Sequence, residues 1–118
     1  MAFSKFTSKD ASNSEHYNWG NASHGWHLVN SGTLSIIQEK MPSGTSENRH
    51  YHHNAQQFFF ILQGIATFEI DNEIYEVHAG QGFHILTKKK HRILNKTNNT
   101  LEFLVISEPK SHGDRIDL

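Results

Sequence analysis

The sequence predicts an all-β fold, either a small barrel or a sandwich. Three observations carry this. No segment keeps the 3.6-residue apolar period over helical length. Roughly eight to ten short runs of β-branched and aromatic residues take its place. Turn-forming residues separate those runs every few positions, as all-β domains require.

Residues 1–24 are polar, rich in Ser and Asn and without periodicity. They read as a loosely ordered N-terminal arm carrying Trp19. Residues 25–118 read as one barrel with a C-terminal tail. Trp26-His27-Leu28-Val29 is short and β-prone, and Asn30-Ser31-Gly32 turns it. Leu34 to Glu39 is a strand that Pro42 ends, because proline cannot donate to a ladder. A short strand runs from Arg49 to His53, and a strong one from Gln57 to Leu62. Ala66–Ile70 and Ile74–Val77 flank Asp71-Asn72, residues that tolerate the positive φ of a hairpin turn. Strands over Phe83–Leu86, His91–Leu94 and Leu101–Ile106 follow, then a tail from Ser107.

At 118 residues the chain is one domain. A net charge of −1 gives no basic excess for nucleic acid. No cysteine is present, so disulfides and thiolate ligands are excluded and any metal must be held by nitrogen and oxygen. The N-terminus lacks the apolar core of about 7–15 residues of a secretory signal. No stretch approaches the ~18 apolar residues of a spanning helix. A cytoplasmic protein without nucleic-acid or membrane partners is expected. There is no internal repeat.

Ten histidines are scattered along the chain, and two of them stand at ligand spacing. His50 and His52 lie two apart, and in a strand residues i and i+2 share a face. Their imidazoles can therefore converge. Around them Gly44, His50, His52, Gln57 and Gly64 follow the spacing G-x5-H-x-H-x4-Q-x6-G. Downstream, Gly80, His91 and Asn95 stand in a second regular arrangement.

The two arrangements resemble the first and second cupin motifs. Gln57 stands where the first motif has glutamate, and Leu86 and Lys88 stand where the second has proline and glycine. The tail resembles those of small sugar-isomerase-like cupins. The resemblance implies a single double-stranded β-helix, that is, a jelly-roll barrel. It further implies that His50, His52, Gln57 and His91 hold one divalent transition metal. Gln57, Phe59 and Ile61 would line the lumen, as would Phe83, Ile85, Ile93 and Asn95. Gln56 competes for the fourth ligand position, although alternation turns it away from His52. Water is the other alternative, with Gln57 then outside the metal shell.

Imidazoles with one oxygen donor suit Zn, Ni, Fe or Mn, with Cu in the same borderline class. They do not suit Ca or Mg, which prefer oxygen shells. An uncharged Gln57 leaves the ion its full charge, which favours Lewis-acid chemistry over oxygen-activating iron. The function expected is that of a metalloenzyme acting on a small organic molecule by isomerase, cyclase or lyase chemistry. A binding or sensing barrel without turnover is one alternative, and a metal-dependent dioxygenase is another. The motifs place no Asp or Glu at the site, so the sequence assigns no catalytic residue.

Lys88-Lys89-Lys90 reads as a solvated loop in preference to a cationic rim. Arg49 and Arg92 point outward by alternation. Phe58, Phe60 and Leu62 also face away from the lumen and need cover. The cover is either the arm or a second copy, and the resemblance implies a homodimer. Trp19 and Trp26 are expected in the core or an interface, and His53 and His84 receive no role. Asp114 and Arg115 are expected to pin the tail.

Overall fold

The computed structural model describes residues 6–111 and 113–118. A single 3-10 turn at Ala11–Asn13 precedes eleven strands. These are β1 (Glu15–Trp19), β2 (Ser23–Asn30), β3 (Ser35–Met41), β4 (His50–His52), β5 (Gln56–Gln63), β6 (Ile65–Ile70), β7 (Glu73–His78), β8 (Gly82–Ile85), β9 (His91–Leu94), β10 (Leu101–Glu108) and β11 (Arg115–Asp117). They form two antiparallel sheets, in the orders β1-β2-β3-β10-β5-β8 and β11-β4-β9-β6-β7. This is the all-β fold the sequence predicts, in the jelly-roll form that the resemblance implies. Among the described residues no helix is long and apolar enough to cross a membrane.

The period-two pattern of the sequence sets the two faces. Along β5, Gln57, Phe59 and Ile61 are buried, while Phe58 and Leu62 are 38% and 43% exposed. Phe103 and Val105 of β10, Ile93 of β9 and Ile85 of β8 face the same interior. The aromatic centre is interlocked: Phe59 meets Phe68 edge-on at 5.0 Å between centroids, and Phe68 stacks on Phe83 at 4.7 Å. Such offset and edge-on contacts add to area burial. Phe59, Ile93 and Val105 belong to both the packed core and the wall of a cavity.

Gly64 is required where β5 turns into β6. Its φ is +89°, and a Cβ there would lie 2.9 Å from the Thr100 carbonyl oxygen. Lys88 stands where the second motif has glycine, and its φ of +67° is the left-handed conformation glycine adopts most readily. Asn95 is a structural pin. Its amide nitrogen donates to the carbonyls of Met41, Pro42 and Asn99, and its Oδ1 accepts from Thr97.

The structure departs from the expected strands at both ends of the chain. The stretch read as loosely ordered to about residue 24 carries β1 and the start of β2; residues 1–5 lie outside the described residues. β1 has no apolar alternation, since it is an edge strand exposed on most of its length. The tail also ends in a strand: β11 pairs with β4, Arg115 opposite His52 and Asp117 opposite His50. Asp114 does pin it, accepting the backbone N–H groups of Asn54 and Ala55.

Candidate metal centre

β4 delivers His50 and His52 to one face, and β9 places His91 directly opposite His50. The three side chains are buried, with one ring nitrogen from each lying within 4.8 Å of the others. Ring centroids are 4.3–5.7 Å apart. β4 is flanked by β9 and β11, which hold both of its edges.

The hydrogen bonds select the free nitrogens. Nδ1 of His50 lies 2.8 Å from the Asn48 carbonyl, and Nδ1 of His91 lies 2.8 Å from the Lys89 carbonyl. A carbonyl only accepts, so each Nδ1 carries the proton and each Nε2 keeps its lone pair. Among the described residues, His91 Nε2 and both ring nitrogens of His52 have no hydrogen-bond partner. Burial, then the neighbouring His91, pushes His50 down to about 3 and His52 down to about 4. Burial also lowers His91. All three are therefore neutral imidazoles at pH 7, the form that binds metal.

Gln57 sits beside them on β5. Its Nε2 donates to Ser107 Oγ at 3.1 Å, which leaves Oε1 buried and without a partner among the described residues. Orphaned buried acceptors are costly. Three converging imidazoles, with the Gln57 amide oxygen nearby, fit a cation of the borderline class. Gln56 is on the outside, bonded to His84 and Glu108.

The site opens on a cavity of about 670 Å³. Its wall includes His50, His52 and Gln57, and also residues that the motifs do not reach: Tyr17, His27, Glu39, Glu47 and Arg115. Burial, then the nearby Glu47, pushes Glu39 up to about 8. Glu47 is pushed up to about 7 by burial, against the pull of Arg115 at 3.5 Å. The sequence did hold one signal for Glu39: it shares a period-two face with Ile37 and Met41 on β3. Arg115 and Lys110 are the basic residues on the wall. Lys88, Lys89 and Lys90 are exposed on a loop elsewhere. Trp19 packs against the core, and Trp26 lies on the outer side of its sheet beside His24 and Lys40.

Known proteins share this framework. A curated relative, an uncharacterized protein of Methanocaldococcus jannaschii, is 33% identical over 81 residues, covering 68% of this chain. The match spans 65% of that relative's length. The crystal structure of a predicted oxalate decarboxylase from Thermotoga maritima superposes with a TM-score of 0.80 at 20% identity, over 88% of this chain and 100% of the other. The polyketide cyclase RemF from Streptomyces resistomycificus superposes with a TM-score of 0.78 at 13% identity, over 89% and 80%. At these identities the two structures carry the fold alone. The cupin domain model matches residues 37–107, a span that contains all three histidines and most of the barrel. The chain belongs to the cupin family.

Proposed function

We propose that this cupin is a metal-dependent enzyme acting on a small organic molecule by isomerase, cyclase or lyase chemistry. The observation that carries the reading is the convergence of three buried neutral imidazoles beside a cavity whose wall includes His50 and His52. His50, His52 and His91 would hold one Zn, Ni, Fe or Mn ion, with Gln57 Oε1 as the fourth donor. When bound, the ion supplies Lewis acidity that draws electron density from a substrate oxygen.

The chain's own residues do the rest. Ile37, Phe59, Ile93 and Val105 give the cavity apolar wall for a carbon skeleton. Gln57 is oriented by Ser107. Glu39 and Glu47 bring carboxyl groups into the same space, which favours turnover over a barrel that only binds. The neutral ligand set favours Lewis-acid chemistry over dioxygen activation.

The reading includes a homodimer. Phe58 and Leu62 are exposed on the outer face of the six-stranded sheet, where Phe60, Leu104 and Ile106 are only half-buried. A second copy of that face would cover them.

The test is to load the protein with Zn, Ni, Mn or Fe(II) and follow a set of small hydroxy- and oxo-compounds by NMR with dioxygen recorded in parallel. The expected result is conversion without oxygen consumption. Conversion coupled to oxygen uptake, or binding with no conversion, would overturn the proposal.

A further inference from the structure

Away from the three histidines, the cavity has a second polar pole built across three strands. In the ladder Tyr17 of β1 pairs with Gly25 of β2, and Gly25 pairs with Glu39 of β3. The Tyr17 ring lies across Gly25. A Cβ at that position would stand 2.3 Å from Tyr17 Cζ, inside any permitted contact. The missing side chain lets the Tyr17 hydroxyl reach over one whole strand and donate to Glu39 Oε1 at 3.1 Å. The ring is backed by His27, with centroids 5.0 Å apart. His27 Nδ1 is buried with no hydrogen-bond partner among the described residues. All three side chains line the cavity that His50, His52 and Gln57 also line.

We infer that Glu39 is the proton-transfer residue of this cavity, positioned by Tyr17 through the gap at Gly25, and that the substrate is a small hydroxy-carbonyl compound. The inference rests on the enzymatic reading above and deepens it. Tyr17 occupies one carboxyl oxygen, so Oε2 is the atom left for substrate. The groups facing Glu39 are Tyr17 from β1, His27 from β2, Glu47 ahead of β4 and Arg115 from β11. Burial and Glu47 hold the carboxyl in its protonated form through neutral pH, while Tyr17 and Arg115 pull the other way. A carboxyl kept near neutrality can both give and take a proton at working pH.

The step is redox-neutral. Glu39 Oε2–H breaks as an O–H bond forms on a substrate oxygen. A substrate C–H bond next to the carbonyl then breaks, its proton returns to Oε2, and its electron pair stays on the substrate. No oxidant or co-reactant is needed. A hydroxy-carbonyl compound matches a wall that offers the Tyr17 hydroxyl, the His27 ring and the Glu39 carboxyl together with aliphatic side chains.

The test uses the full chain loaded with zinc and 1,3-dihydroxyacetone as the probe, following loss of its C–H protons into D2O by proton NMR. In parallel, carboxyl-labelled glutamate reports titration by carbon NMR in metal-free protein. The expected result is acceleration by the wild type and a loss of about 100-fold in Glu39→Gln with unchanged zinc content. One glutamate signal should titrate far above the ordinary range and be missing from Glu39→Gln. Tyr17→Phe should move that signal and the pH–rate midpoint upward, since the hydroxyl favours the ionised carboxylate. Gly25→Ala should do the same by displacing the ring. Equal exchange in Glu39→Gln, no acceleration by the wild type, or an ordinary Glu39 titration overturns the inference. Zinc content separates the two readings. A wild type that binds no zinc, yet loses exchange on Glu39→Gln, removes the metal and leaves Glu39 in its role.

Discussion

Tyr17 and Glu39 lie two strands apart in one sheet, and only Gly25 stands between them, so the phenol reaches the carboxyl across a strand that has no side chain at that point. The carboxyl it positions lies inside the barrel, where burial and the nearby Glu47 make ionisation cost stability. The consequence is visible in the pH dependence of folding.

Glu39 moves from 4.5 to about 8 on folding. Between those values the folded chain binds a proton that the unfolded chain has released. The stabilisation is complete below about 4.5 and is lost as pH rises through about 8. Near pH 6.5 the unfolded counterparts of His50, His52 and His91 are still partly protonated, so these three add a smaller slope of opposite sign that fades as pH rises. Metal-free protein should therefore lose on the order of 2 kcal/mol between pH 6.5 and 8.5 through Glu39, with a smaller share from Glu47. Urea unfolding across that range measures it. Glu39→Gln should flatten most of the decline, and a slope unchanged by that substitution would show that Glu39 titrates elsewhere.

The histidines carry the opposite sign. His50 and His52 sit at about 3 and about 4 when folded, and His91 is also lowered. Protons thus compete poorly for the site in folded protein. The zinc Kd should change far less between pH 7 and 5.5 than three ordinary imidazoles would allow, as read by calorimetry. Ligands with ordinary imidazole values would lose orders of magnitude over the same interval, and that outcome would mean that the site opens to water.

Gln57→Glu adds a charge to the proposed ligand set at nearly constant volume, and Ser107 Oγ can turn to donate to the new carboxylate. Divalent-ion affinity should rise at least about tenfold. An unchanged Kd would mean that Gln57 Oε1 is not a ligand.

The histidine pair of β4 and the barrel were legible in the sequence because their signals are local. His50 and His52 share a face by strand geometry, and the alternation from Gln57 to Ile61 is undisturbed. His91 was reached through spacing that resembles a known motif. Tyr17 and Arg115 were not legible, and Glu39 showed only its shared face with Ile37 and Met41, because register places all three. β1 is an edge strand without apolar alternation, and its pairing with β2 cannot be read from composition. β11 is three residues long and depends on β4 for its existence. Gly25 carries no turn signal at all, and its meaning appears only once Tyr17 lies over it. A site assembled from strands distant in the chain reveals its carboxylates last.

The exposed outer face of β5 makes a further test. Leu62→Asp places a charge in the apolar patch formed with Phe58 and Phe60. Light scattering after gel filtration should give a dimer for the wild type and a monomer for the variant, with the barrel intact by circular dichroism. A wild type that runs as a monomer at micromolar concentration would remove the second copy from the proposal.

The central claim is that His50, His52 and His91 hold one metal ion. Its most direct measurement is elemental analysis of the protein after loading with zinc and gel filtration, for the wild type and for His52→Ala. The His52 ring is buried and its nitrogens have no hydrogen-bond partner among the described residues, so its removal should spare the fold while deleting one of three imidazoles. About one zinc per chain in the wild type and about one-tenth or less in folded His52→Ala is the expected result. Equal zinc in the two proteins, or none in the wild type, would contradict it.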